Sequence, residues 1–166
     1  MFSHFGLRRR VRWTFTVPLF LTAVLYLQGC DGGLAPPELK PFGSISGIIT
    51  YSGSWPPADS LDDLRFIAMR FIPADTADFL QLNKMEISSS LDLFVDTDSF
   101  LIENVIPGGF FYSGVAQKFS IDLLAWRPVG LVEENGGIFE VEPASRTVVS
   151  IHVDFDHLPP FPPESQ

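Results

Sequence analysis

Cysteine is almost missing from this chain. Its 166 residues contain one, Cys30, so no disulfide can form within the chain and a small cysteine-stapled scaffold is excluded. Basic residues are scarce and unevenly placed. Residues 1–29 hold four of the 11 (Arg8, Arg9, Arg10 and Arg12) and none of the 20 acidic residues, which leaves seven against 20 beyond them, a formal charge of −13. Binding to nucleic acid or to anionic headgroups needs a basic patch, and this balance disfavours both. The acids are scattered instead of forming blocks, the pattern of a solvated acidic surface. Long apolar runs are also lacking. The longest, Trp13 to Leu27, has 15 residues interrupted by Thr14, Thr16, Pro18 and Thr22. As a helix it would reach about 22 Å, short of a hydrocarbon core of roughly 30 Å.

Chemistry-bearing motifs are sparse too. No G-x-S-x-G elbow is present, Ser113 falls inside a strand pattern, and Glu133-Glu134 would point to opposite sides of a strand. Asp96 and Asp98 lack the glycine and closing glutamate of a calcium loop and read as turn formers. No cofactor is expected. What is plentiful is apolar material, 46% hydrophobic with 16 phenylalanines, punctuated by 14 prolines and 13 glycines. That is enough for one core without staples.

Residues 1–29 have the layout of an export signal: basic start, short apolar run, small residue at the end. The run closes on Leu27-Gln28-Gly29-Cys30, which resembles the lipobox of bacterial lipoproteins. In that family the cysteine thiol is acylated and the chain is cut before it. The resemblance implies a lipid on Cys30, palmitate among the acyl chains, and a membrane-anchored protein of the bacterial cell envelope. Several acyl chains together anchor stably where one does not. An ordinary secretory signal beside a free thiol, or an uncleaved helix, are the competing readings. Residues 30–41, rich in Gly and Pro, read as the lipidated cysteine and a flexible linker, and residues 158–166 as a Pro-rich tail.

Between them, residues 42–157 are dominated by a period of two. Ile45, Gly47, Ile49 and Tyr51 alternate with more polar neighbours, and Val149, Ile151, Val153 and Phe155 do the same near the end. Arg65 to Ile72 is apolar on both faces, as in a central strand stopped by Pro73. Leu91–Val95, Phe100–Val105, Phe110–Phe119, Val129–Glu133 and Ile138–Glu142 read as further strands. Asp75–Met85 reads as a short helix or irregular excursion. About seven strands separated by turn signals predict an all-β, antiparallel sandwich.

The stretch Gly43–Tyr51 followed by Gly53-Ser54-Trp55-Pro56-Pro57 resembles the opening strand and turn of carboxypeptidase regulatory-like domains of envelope lipoproteins. Ile102–Ala116, with its Pro107-Gly108-Gly109 turn and aromatic strand, is similar to a second part of that pattern, and Val153–Pro160 fits its close. The resemblance implies a prealbumin-like (transthyretin-like) sandwich that serves as an accessory or binding module. Relatives carry an Asp/Asn/Gly-rich loop after the aromatic strand, but Gln117–Arg127 (QKFSIDLLAWR) stands in its place here.

Two constellations remain. His152, Asp154 and Asp156 share one strand face by alternation and are weak metal candidates; a solvated polar face is the plainer alternative. Trp55 and Trp126 fall on loops, and Phe110 and Tyr112 share one face of the aromatic strand. These four are candidate binding residues, or else core and lids over the core. The expectation is a non-enzymatic structural or protein-binding module whose partner is an unidentified envelope protein. The alternative is a carbohydrate or small-molecule binder using loop aromatics.

Overall fold

The computed structural model describes residues 40–163. The export signal, the lipobox with Cys30 and nearly all of the linker lie outside the described residues. Nine strands follow in order: β1 (Gly43–Ser52), β2 (Asp63–Met69), β3 (Met85–Ile87), β4 (Thr97–Val105), β5 (Gly108–Phe110), β6 (Tyr112–Lys118), β7 (Trp126–Leu131), β8 (Phe139–Val141) and β9 (Arg146–Asp154). They form a three-stranded sheet ordered β4-β1-β9, a four-stranded sheet ordered β3-β2-β6-β7, and the small pair β5-β8. The expected all-β sandwich is present.

All pairings between named strands are antiparallel except β1 with β9, which run parallel from Ser44↔Arg146 to Ser52↔Asp154. Nearly the whole domain lies between these two strands in sequence, so no hairpin sets their relative direction. The period of two does its expected work in both. Ile45, Ile49 and Tyr51 of β1 and Val149, Ile151 and Val153 of β9 face the main core, with Ile151 1% exposed. There they meet Leu64 and Phe66 of β2, Val115 of β6 and Phe100 of β4, whose ring stacks on Phe66 at 4.1 Å. On one side the sandwich is closed: Val132 bridges to Ile151, and Glu133 N–H donates to Ser150 O at 3.1 Å.

The four-stranded sheet is buried on its outer face as well. Ile67, Met69, Met85, Tyr112 and Ala116 form a second cluster there with Phe79. This explains the two-sided apolar pattern of β2. The cover is the excursion between β2 and β3, two short 3-10 turns at Thr76–Leu80 and Leu82–Lys84, with Phe79 as the inward anchor. Asp75 caps the first turn, its carboxylate accepting from Ala77 N–H at 2.8 Å, while Asp78 accepts from Ala74 N–H at 2.6 Å. The backbone donor of Ala74 is the main reason Asp78 sits below the usual carboxylate range.

Three strand expectations change. Leu91–Val95 is not a strand: Phe94 adopts φ 59°, which breaks extended pairing, and Leu91 keeps a single backbone bond to Leu64 O at 2.8 Å. The aromatic strand Phe110–Phe119 is divided at Phe111, where pairing passes from β8 to β2. Phe110 and Tyr112 therefore do not share a face. Phe110 belongs to the main core and Tyr112 to the second cluster. Finally, of the two expected turn formers, Asp98 lies inside β4 opposite Ile49 of β1, and Asp96 precedes the strand.

Candidate functional site

The outer face of the four-stranded sheet carries a hollow of about 310 Å³. Register builds its floor. Ile67 of β2 lies opposite Ile87 of β3 on one side and Gly114 of β6 on the other. Gly114 has no side chain because β7 approaches closely there; a Cβ would lie 2.1 Å from Gly130 O. Phe79, Leu80 and Leu82 from the 3-10 turns make one wall, and Leu123 with Trp126 makes the other. Trp126, expected on a loop, instead opens β7 opposite Lys118, and that pairing brings it to this face.

The rim is charged but internally neutralised. Arg65 Nε lies 2.6 Å from Asp63 Oδ2, and Lys118 Nζ lies 2.6 Å from Asp62 Oδ2. The two cations are thus engaged, and the hollow offers mainly aliphatic contact. Its walls are unusually exposed for their type: Leu123 is 71% exposed and Leu82 63%. Ile121, two residues before Leu123 in the same loop, is 89% exposed. A cluster of this kind marks an interaction surface more often than scattered single residues do.

Of the aromatic candidates, only Trp126 lines the hollow. Trp55 lies at the other core, its ring 4.9 Å from Tyr51, 4.5 Å from Phe155 and 5.3 Å from Phe94. It is half-buried and closes the main core as a lid. Phe110 is fully buried, stacked on Phe139 at 5.3 Å with the Arg70 guanidinium 4.3 Å above its ring. Tyr112 is buried beneath Phe79 and Phe161, and its hydroxyl has no hydrogen-bond partner among the described residues. Burial holds that phenol above its ordinary pKa.

The polar candidates go to separate partners. His152 contacts the hydroxyls of Thr50 through Nδ1 and Ser52 through Nε2, each at 3.0 Å. Asp154 Oδ2 lies 2.8 Å from His157 Nδ1 and its Oδ1 accepts from Asp156 N–H at 3.0 Å. Asp156 accepts from Ser54 N–H at 3.1 Å. These contacts brace the end of β9 against the turn after β1. Among the described residues no three His, Cys, Asp or Glu side chains are grouped so as to hold a metal. The His157 bond is the main cause of the lowered Asp154 pKa and, reciprocally, the Asp154 bond raises His157.

Most of the hollow went unrecognised in the sequence. Leu82 and Leu123 belong to no period, Leu80 shares only a helical spacing with Ala77 and Lys84, and the remaining signal is the apolar FSIDLL loop at 119–124. Gln117 is a second feature that no sequence pattern marks. Fully buried, it donates to Ser60 O at 2.7 Å and accepts from Arg127 Nε and Nη2, tying β6 to β7.

No family model and no curated protein matches this chain. Among solved structures it is similar to a pilus-presented adhesin at 8% identity and a TM-score of 0.22, over 70% of this chain and 28% of the adhesin. The chain thus spans under a third of that protein's length, and a likeness so distant carries no functional statement.

Proposed function

We propose that this chain is a bacterial cell-envelope lipoprotein, anchored to a membrane through Cys30, whose sandwich is a non-enzymatic protein-binding module of the carboxypeptidase regulatory-like, prealbumin-like type. The observation that carries the binding reading is the apolar hollow walled by exposed Leu80, Leu82 and Leu123. Such a surface gains most by taking apolar side chains of a partner, since burial is worth about 25 cal/mol per Å². The lipobox resemblance supports the anchor: Leu27-Gln28-Gly29-Cys30 ends the apolar run. Crosslinking from a photoreactive residue at position 121, in native membranes, tests the site. Wild-type protein should give a discrete adduct that Leu123→Asp removes, and an adduct indifferent to that change would refute the assignment. Intact mass should show cleavage before Cys30 and added acyl chains; an unmodified N-terminus elsewhere would remove the anchor.

A second reading, a small-molecule or carbohydrate site, is favoured by the concavity of the hollow and by Trp126 on its wall. Its volume is at the low end for ligand pockets. The aliphatic lining suits an apolar small molecule better than a sugar.

A further inference from the structure

The outer face that carries the hollow is already half occupied. The Pro-rich segment after β9 returns across this sheet and seats Phe161 in the second cluster, its ring 5.4 Å from Phe79 and 6.5 Å from Tyr112. No backbone hydrogen bond ties residues 158–163 to a strand among the described residues. The segment is held by side-chain packing alone, with prolines at 159, 160, 162 and 163 that have no N–H to satisfy. Proline-rich ligands dock on aromatic grooves in this way, their extended form costing little entropy to fix.

Phe79 belongs to both halves. One side of it receives Phe161 and it also lines the open hollow. The apolar face is therefore continuous from the filled half to the empty one. We infer that the open half receives a segment of the same chemistry from a partner protein: an extended, proline-rich peptide carrying one large apolar side chain, inserted between Leu82 and Trp126. The engaged rim cations favour an uncharged segment over an acidic one. This rests on the protein-binding reading above and names the partner's chemistry.

A synthetic hexapeptide, Leu-Pro-Pro-Phe-Pro-Pro, tests it on the intact chain in lipid nanodiscs, with tryptophan emission as the readout. Saturable binding in the micromolar to low millimolar range is expected, with the emission change lost in Trp126→Phe. Leu82→Asp and Leu123→Asp should each weaken binding at least tenfold with circular dichroism unchanged, and a peptide with Phe replaced by Ser should not bind. Phe161→Ala should leave the affinity within about twofold, because the filled half is a separate seat. Binding that appears only in Phe161→Ala would mean that the peptide merely refills the tail's seat, and would overturn the inference. So would no saturation, indifference to the Phe→Ser peptide, or displacement of the emission change by decanoate alone. If Leu123→Asp abolishes the membrane crosslink while the hexapeptide fails to bind, the groove stands as a protein site and the proline-rich chemistry falls.

Discussion

Single side chains at the sandwich end show how local chemistry sets behaviour. Trp55 follows Gly53-Ser54 and precedes Pro56-Pro57, so its backbone cannot continue β1, yet its indole packs on Tyr51, Phe94 and Phe155. Trp55→Ala should therefore lower stability by about 2–3 kcal/mol in urea denaturation, somewhat less than a fully buried tryptophan. A change within about 0.5 kcal/mol would show the ring to be presented, not packed. The Asp154–His157 pair gives a pH prediction with a definite sign. His157 is raised, so its contribution is present below the unfolded histidine value near 6.5 and fades as pH rises through the folded value. Asp154 is lowered, so its contribution is present above the unfolded value near 4 and fades as pH falls through the folded one. The pair is complete between about pH 4 and 6.5. By NMR titration His157 should titrate above the ordinary histidine value, and Asp154→Asn should bring it back down. An unmoved His157 in that variant would dissolve the pair.

At the level of elements, β9 is the clearest test of register. Ile151 points into the main core and Ser150 points out, as the alternation in the sequence requires. Ile151→Asp should cost several kcal/mol, on the order of burying an unpaired carboxylate, whereas Ser150→Asp should cost less than about 1 kcal/mol. Equal effects in a denaturant titration would place the strand in the wrong register. The element that departs most from expectation is the aromatic strand. Alternation alone carries Phe110 and Tyr112 to the same face, but the chain exchanges β8 for β2 as its partner at Phe111, whose N–H donates to Met69 O at 2.8 Å. A periodic pattern reports which residues alternate. It does not report where a strand changes sheets.

For the whole molecule, the packing of the main core and of the second cluster make different demands on the chain. The main core is assembled from strands whose patterns are visible along the sequence. The second cluster depends on segments without a pattern, the 3-10 turns and the Pro-rich end, laid over one sheet face. Phe161→Ala should accordingly cost about 2 kcal/mol although it lies beyond the last strand, a value for a half-buried aromatic. Thermal unfolding would check it, and an unchanged midpoint would mean that the segment is not docked. The groove itself was poorly legible for the same reason. Trp126 stands out as an aromatic and Leu80 by its helical spacing with Ala77 and Lys84, while Leu82 and Leu123 carry no signal, because the turns that hold them are too brief to set a spacing.

The sequence by itself determined the all-β class, the alternating faces of β1 and β9, the two-sided burial of β2 and the presence of turns between the strands. These follow from side-chain alternation and from residues that tolerate or impose turn dihedrals, which act over a few positions. Only the tertiary structure decided the parallel β1–β9 pairing, the break at Phe111, the separate engagements of His152, Asp154 and Asp156, and the hollow beside Trp126. Each of these depends on contacts between residues far apart in the chain, where the free energy is set by the space and partners that packing leaves and not by local preference.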